Sequence, residues 1–168
     1  MSNKKNWNGI LIIDEIIIRR NNKIIYKENH IKNIFHASGQ YFFLKILFKQ
    51  QNAPKKYYIG LDNRASLTID DTLNTIEGEP IGKGYARQVI ESKNFEINKS
   101  QSGNYRVIGP TLSFSATTSQ WGPVRNLFLT NVSSGTDGFL VSSARLAESI
   151  TLTPPDTATL KFAFSFSN

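Results

Sequence analysis

Polar and apolar residues alternate with period two along much of the C-terminal half of the chain. Leu112, Phe114 and Ala116 alternate with Thr111, Ser113, Ser115 and Thr117. Near the end, Leu160, Phe162, Phe164 and Phe166 alternate with Lys161, Ala163 and Ser165. Successive side chains of a strand point to opposite faces, so this pattern predicts strands with one buried face. Between the two stretches, NLFLTNV, GFLVSSARL and SITLT read as further strands, separated by the turn sequences SSGTDG and PPD. Upstream, KKYYIGL predicts one more. Short strands at this spacing, with mixed turn chemistry, predict a mainly β protein built as an antiparallel β-sandwich.

The N-terminal third has a different texture. Ile16, Ile17 and Ile18 precede Arg19-Arg20, then Asn21-Asn22, then Lys23-Ile24-Ile25-Tyr26-Lys27. Two β-branched runs joined by Asn-Asn predict a β-hairpin, because asparagine tolerates the positive φ such turns need. ASGQYFFLKILFKQQ follows and predicts one aromatic-rich helix, with Ser38 as its N-cap. Tyr41, Leu44 and Phe48 share one face of it, and Phe43, Ile46 and Leu47 another. A helix apolar nearly all round calls for burial nearly all round. Either a neighbouring subunit helps to cover it, or it is an ordinary core helix. The expected division is a basic hairpin-plus-helix docking segment at 1–52 and a β-sandwich domain at 53–168.

One stretch imitates a phosphate-binding loop: GEPIGKG, residues 78–84. Such a loop needs a lysine followed by a hydroxyl residue, and a helix whose N-terminus faces the phosphates. Here the glycine spacing is one residue short and Gly84 replaces the hydroxyl. Glu79 adds a negative charge, and strand-like residues 85–90 follow. The expected element is therefore a turn, with Gly82 and Gly84 supplying backbone freedom. Arg87 is then placed on the following strand, pairing with a carboxylate of the same subunit or of a neighbour. The acidic residues of 62–79 lack the register of a calcium loop. Asp70 and Asp71 instead favour a helix start at Thr72-Leu73-Asn74.

Charge and composition narrow the chemistry. Residues 1–60 hold eleven Lys/Arg against three Asp/Glu, whereas residues 61–168 hold nine against ten. The basic third suits an acidic protein partner, and nucleic acid is not the expected ligand because solvated lysines on edge strands give the same count. There is no cysteine, which removes thiol catalysis and cysteine-held zinc. The two histidines, His30 and His36, form no metal set and read as surface or interface residues. No serine lies in a nucleophile elbow. The expectation is a non-enzymatic protein with no cofactor, no metal, no small-molecule substrate and no membrane segment, made in a cytoplasm. Tyr105 and Trp121 offer flat rings for a carbohydrate platform; alternatively, Trp121 anchors a core edge beside Gly122-Pro123.

Taken in order, YYIGLDNR, LTIDDTLNTIEGEPIGKGYARQVI, GNYRVIGPTLSFSATTSQWGPVRNLFLT and DGFLVSSARL resemble a family of small virion proteins of tailed bacteriophages. The resemblance spans roughly residues 9–168. Its most specific parts are Gly78 to Gln88 and Trp121-Gly122-Pro123. Two features depart from the family pattern: Pro154-Pro155-Asp156 replaces a Gly-Asp turn, and Asn29-His30 is reversed. The resemblance implies a structural role in the virion, tail- or neck-associated, with no catalytic residues. On that reading a trimer or ring forms by burying Phe42, Phe43, Leu47 and Phe48 between subunits, while basic residues including Arg19 and Arg20 select other virion proteins. The alternatives are a receptor- or glycan-binding module using Tyr105 and Trp121, and a head fibre or capsid decoration protein.

Overall fold

The computed structural model describes residues 8–31, 33–99 and 103–167. Two antiparallel sheets pack face to face, as the alternating segments predict. The first runs in the order β2 (Lys23–Ile31), β1 (Asn8–Arg20), β11 (Thr157–Ser167), β7 (Tyr105–Ile108), β6 (Glu96–Lys99), and β8 (Leu112–Ser115) also pairs with β11. The second runs β3 (Asn33–Phe35), β10 (Leu140–Leu152), β9 (Trp121–Thr130), β4 (Lys56–Asp62), β5 (Gln88–Glu91). One helix, α1 (Ala37–Phe48), packs on the second sheet. The core between the sheets includes Ile13, Ile16, Ile18, Phe114, Trp121, Leu127, Leu129, Leu160 and Phe162.

The N-terminal hairpin forms as expected: Asn21 and Asn22 take φ of 48° and 65°, and Arg20 pairs with Lys23 across the two-residue turn. The expected boundary at residue 52 fails, however. β1 lies inside the first sheet, paired with β2 on one side and β11 on the other, so the segment is part of the sandwich rather than an appended arm. Its sequence IIDEIII explains how. The register shifts between Ile13 and Glu15, and this bulge moves the inward face from Ile13 to Ile16 and Ile18. Asp14 pairs with Arg106 at 2.7 Å, and Glu15 with Lys27 at 3.0 Å and Lys161 at 2.9 Å.

Leu112, Phe114, Leu160 and Phe162 point inward as their alternation requires; the side chain of Phe166 lies outside the described residues. GFLVSSARL and SITLT, expected as two strands, are one strand whose pairing with β9 shifts register between Arg145 and Ile150.

The helix differs more. It begins at Ala37 with His36 as N-cap, and Ser38 instead donates its hydroxyl to the Leu140 carbonyl at 2.6 Å. Gly39 and Phe42 are buried against the second sheet, where Phe42 stacks on Phe139 at 4.9 Å between ring centroids. The opposite face is open.

Candidate functional site

The GEPIGKG segment forms a strap whose tip, residues 81–84, is exposed, while Glu79, Pro80, Tyr85 and Arg87 turn inward on either side. Gly82 and Gly84 take φ of 78° and 71°. No helix follows, and the strand starts later than its composition suggests: Tyr85 to Arg87 are irregular and β5 opens at Gln88. Arg87 therefore precedes the strand, and its fork meets Glu79 of the same chain, with Nε to Oε1 at 2.7 Å and Nη2 to Oε2 at 2.9 Å. Nη1 and Nη2 also donate to the carbonyls of Val132 and Gly135, each at 3.1 Å. The cation also lies 5.1 Å from the centre of the Phe128 ring. Tyr85 donates its hydroxyl to Glu79 and accepts the Leu61 amide, and burial beside the Glu79 carboxylate pushes its phenol well above the usual tyrosine range. Trp121 donates Nε1 to the Lys83 carbonyl at 2.7 Å and is only 2% exposed. The most specific residues of the motif thus tie the strap to β4, to the 132–135 loop and to the start of β9.

A second polar cluster lies under the 62–71 loop and was not legible in the sequence. His36, expected at the surface or at an interface, is fully buried within the chain. Its Nδ1 lies 2.8 Å from the Thr68 carbonyl, which can only accept, so Nδ1 carries the proton and Nε2 accepts the Ser143 hydroxyl at 2.8 Å. Ser143 Oγ also accepts Arg64 Nη2 at 2.7 Å. Arg64 in turn holds Asp62 at 2.8 Å and Asp71 at 2.9 Å, and Asn126 donates to Asp62 at 2.7 Å. A histidine on a serine hydroxyl is the contact of a nucleophile and its base. Here both side chains are buried and the serine oxygen is held by Arg64, so the cluster ties the start of α1, the 62–71 loop and β10 together.

Asp71 does not cap the short 3₁₀ turn at Leu73–Thr75. That turn is held by Thr75 Oγ1, which donates to the Thr72 carbonyl at 2.8 Å. Burial alone would raise the Asp71 pKa, but the Thr68 amide and hydroxyl, with Arg64, outweigh it and hold the carboxyl below its usual range.

Burial, reinforced by the nearby Arg64 cation, lowers the His36 pKa below its ordinary value. The unfolded chain then binds the proton more readily, so stability is complete above the unfolded pKa of about 6.5 and falls as pH drops below it. The expected result is a lower urea midpoint at pH 5.5 than at pH 7.5. His36→Gln should be weaker at both values and lose most of that difference; an undiminished pH dependence in the variant would show that another group carries it.

The interface residues expected from sequence separate into two sets. Phe42 is 1% exposed and serves its own core, so it cannot face a neighbour. Phe43 is half-buried, whereas Leu47 and Phe48 are 69% and 74% exposed and join Tyr41 and Leu44 at 56% and 53%. Arg20 is committed within the chain: it forks onto the buried Asp156 at 2.7 Å, fixing the Pro154-Pro155 turn, and holds that carboxyl below its usual range. Arg19 is half-buried on β1. The carbohydrate platform loses one ring, because Trp121 is buried while Tyr105 is 65% exposed. Among the described residues there is no cluster of metal-ligating side chains and no helix long and apolar enough to cross a membrane. Compared with protein families, curated proteins and solved structures, the chain matches none.

Proposed function

We propose that this is a structural protein of a tailed-bacteriophage virion, located on the tail or neck, that works by subunit-to-subunit packing and carries out no catalysis. The observation that carries this reading is the open face of α1. Tyr41, Leu44, Leu47 and Phe48 form an apolar stripe on a helix whose other face is locked to the sandwich. Contiguous apolar surface of this kind is costly to leave in water and marks a contact site. The motif resemblance supports the virion setting. Copies of the helix meeting around a symmetry axis would bury the stripe, in a trimer or ring that also touches other virion proteins. The glycan-binding reading is weaker because Trp121 is not at the surface.

Light scattering of the purified chain tests the packing role. The wild type should be a trimer or larger ring, and Leu44→Asp with Phe48→Asp should give a folded monomer, since neither side chain supports the core. A monomeric wild type would end the self-assembly reading.

A further inference from the structure

Beside the helix, the sandwich has an opening. A cavity of about 420 Å³ lies where the two sheets part, walled by Phe95, Val107 and Phe164 from the first sheet and its approach, Tyr57 and Leu129 from the second, and Phe43 from α1. Its size is that of a specific binding pocket rather than a packing flaw. Its walls are largely aromatic. Tyr57 meets Phe95 edge-on at 6.1 Å and Phe95 meets Phe164 edge-on at 5.9 Å. The rim is pinned by Ser92, which donates its hydroxyl to the Pro54 carbonyl at 2.7 Å and its amide to the Lys55 carbonyl at 2.9 Å.

The apolar cavity does not stand alone. Lys55 and Ser92 also line an adjoining cavity of about 360 Å³, whose other walls are Lys56, Glu91 and Lys93. Lys93 is paired with Glu91 at 2.7 Å. Lys56 faces Glu91 across the β4–β5 pair, and neither it nor Lys55 forms an ion pair among the described residues. With three lysines to one glutamate, the second cavity carries surplus positive charge next to an apolar one.

We propose that the two cavities together are the docking site for an acidic segment of another protein, with one bulky apolar side chain seated between the sheets and its flanking carboxylates on Lys55 and Lys56. Charge decides against a second copy as the occupant. The chain is +7 overall, and the exposed anchors of its helix, Leu47 and Phe48, stand beside Lys45 and Lys49. Bringing them to this rim would set lysine against lysine, whereas an acidic partner is attracted by the surplus lysines. An apolar anchor in a pocket with complementary charge around it is a common way to hold a short peptide. This site is separate from the helix stripe, so its failure leaves the oligomeric state of the protein untouched.

The test is fluorescence anisotropy with two labelled hexapeptides, Asp-Glu-Trp-Leu-Asp-Glu and Lys-Lys-Trp-Leu-Lys-Lys, at low salt. The acidic peptide should bind saturably, and the basic one at least about tenfold more weakly. Binding should weaken as added salt screens the lysines. Ala53→Trp, at an exposed position on the cavity mouth, and Lys55→Ala with Lys56→Ala should each reduce affinity by about tenfold while leaving the circular dichroism spectrum unchanged. No saturable binding of the acidic peptide, equal binding of both peptides, or full affinity in Ala53→Trp would each overturn the assignment.

Discussion

Arg87→Ala should lower the folding stability by about 3–5 kcal/mol, the usual cost of stripping one partner from a buried ion pair. The side chains of Arg87 and Glu79 are only 3% and 6% exposed, so water cannot replace the lost guanidinium. Among the described residues, the Glu79 carboxylate would retain only the Tyr85 hydroxyl, and the carbonyls of Val132 and Gly135 would each lose a donor. Against a total stability of about 5–15 kcal/mol, this is a large fraction. In a chain of this size the melting temperature should fall on the order of 10 °C, measured by calorimetry. Replacing both partners by apolar residues, Arg87→Met with Glu79→Leu, should recover most of the loss, because no buried charge is then left unpaired. A fall of less than about 2 °C in Arg87→Ala would mean that the fork contributes little to holding the strap.

Gly39→Ala should also destabilise the protein, although alanine is the better helix former by about 1 kcal/mol. A Cβ at this position would collide with the Val141 carbonyl oxygen and lie 2.7 Å from the Val141 Cα and 2.9 Å from its carbonyl carbon. All three are backbone atoms of β10, which is paired with β3 and β9 on its two sides and cannot step back. Overpacking of this kind costs about 1–3 kcal/mol and sometimes more, so the steric term outweighs the propensity gain. The helix should lift from the sheet, loosening the Phe42–Phe139 stack and displacing the stripe of Tyr41, Leu44 and Phe48. A urea titration measures the first effect, and near-ultraviolet circular dichroism of the aromatic side chains the second. A variant as stable as the wild type, with an unchanged aromatic spectrum, would show that the helix does not sit this close.

The sequence by itself determined the class of fold, the inward faces of the strands and the N-terminal turn. These depend on local quantities: the two-residue period of a strand, the positive φ that asparagine accepts, and the backbone freedom of Gly82 and Gly84. Arg87 was legible as a fork seeking a carboxylate, but its partner was not, because several acidic residues lay within reach along the chain. Only the tertiary structure decided that β1 sits inside the first sheet, since pairing with β11 joins opposite ends of the chain and leaves no local trace. The same holds for His36, whose partners Thr68 and Ser143 are 32 and 107 residues away. A histidine followed by small residues looks alike whether water or a buried hydroxyl receives its ring. The helix shows the division most clearly. Its composition declared that apolar surface exceeded what a solvated helix carries, while the close approach of Gly39 to β10 chose which face was buried and which was left exposed.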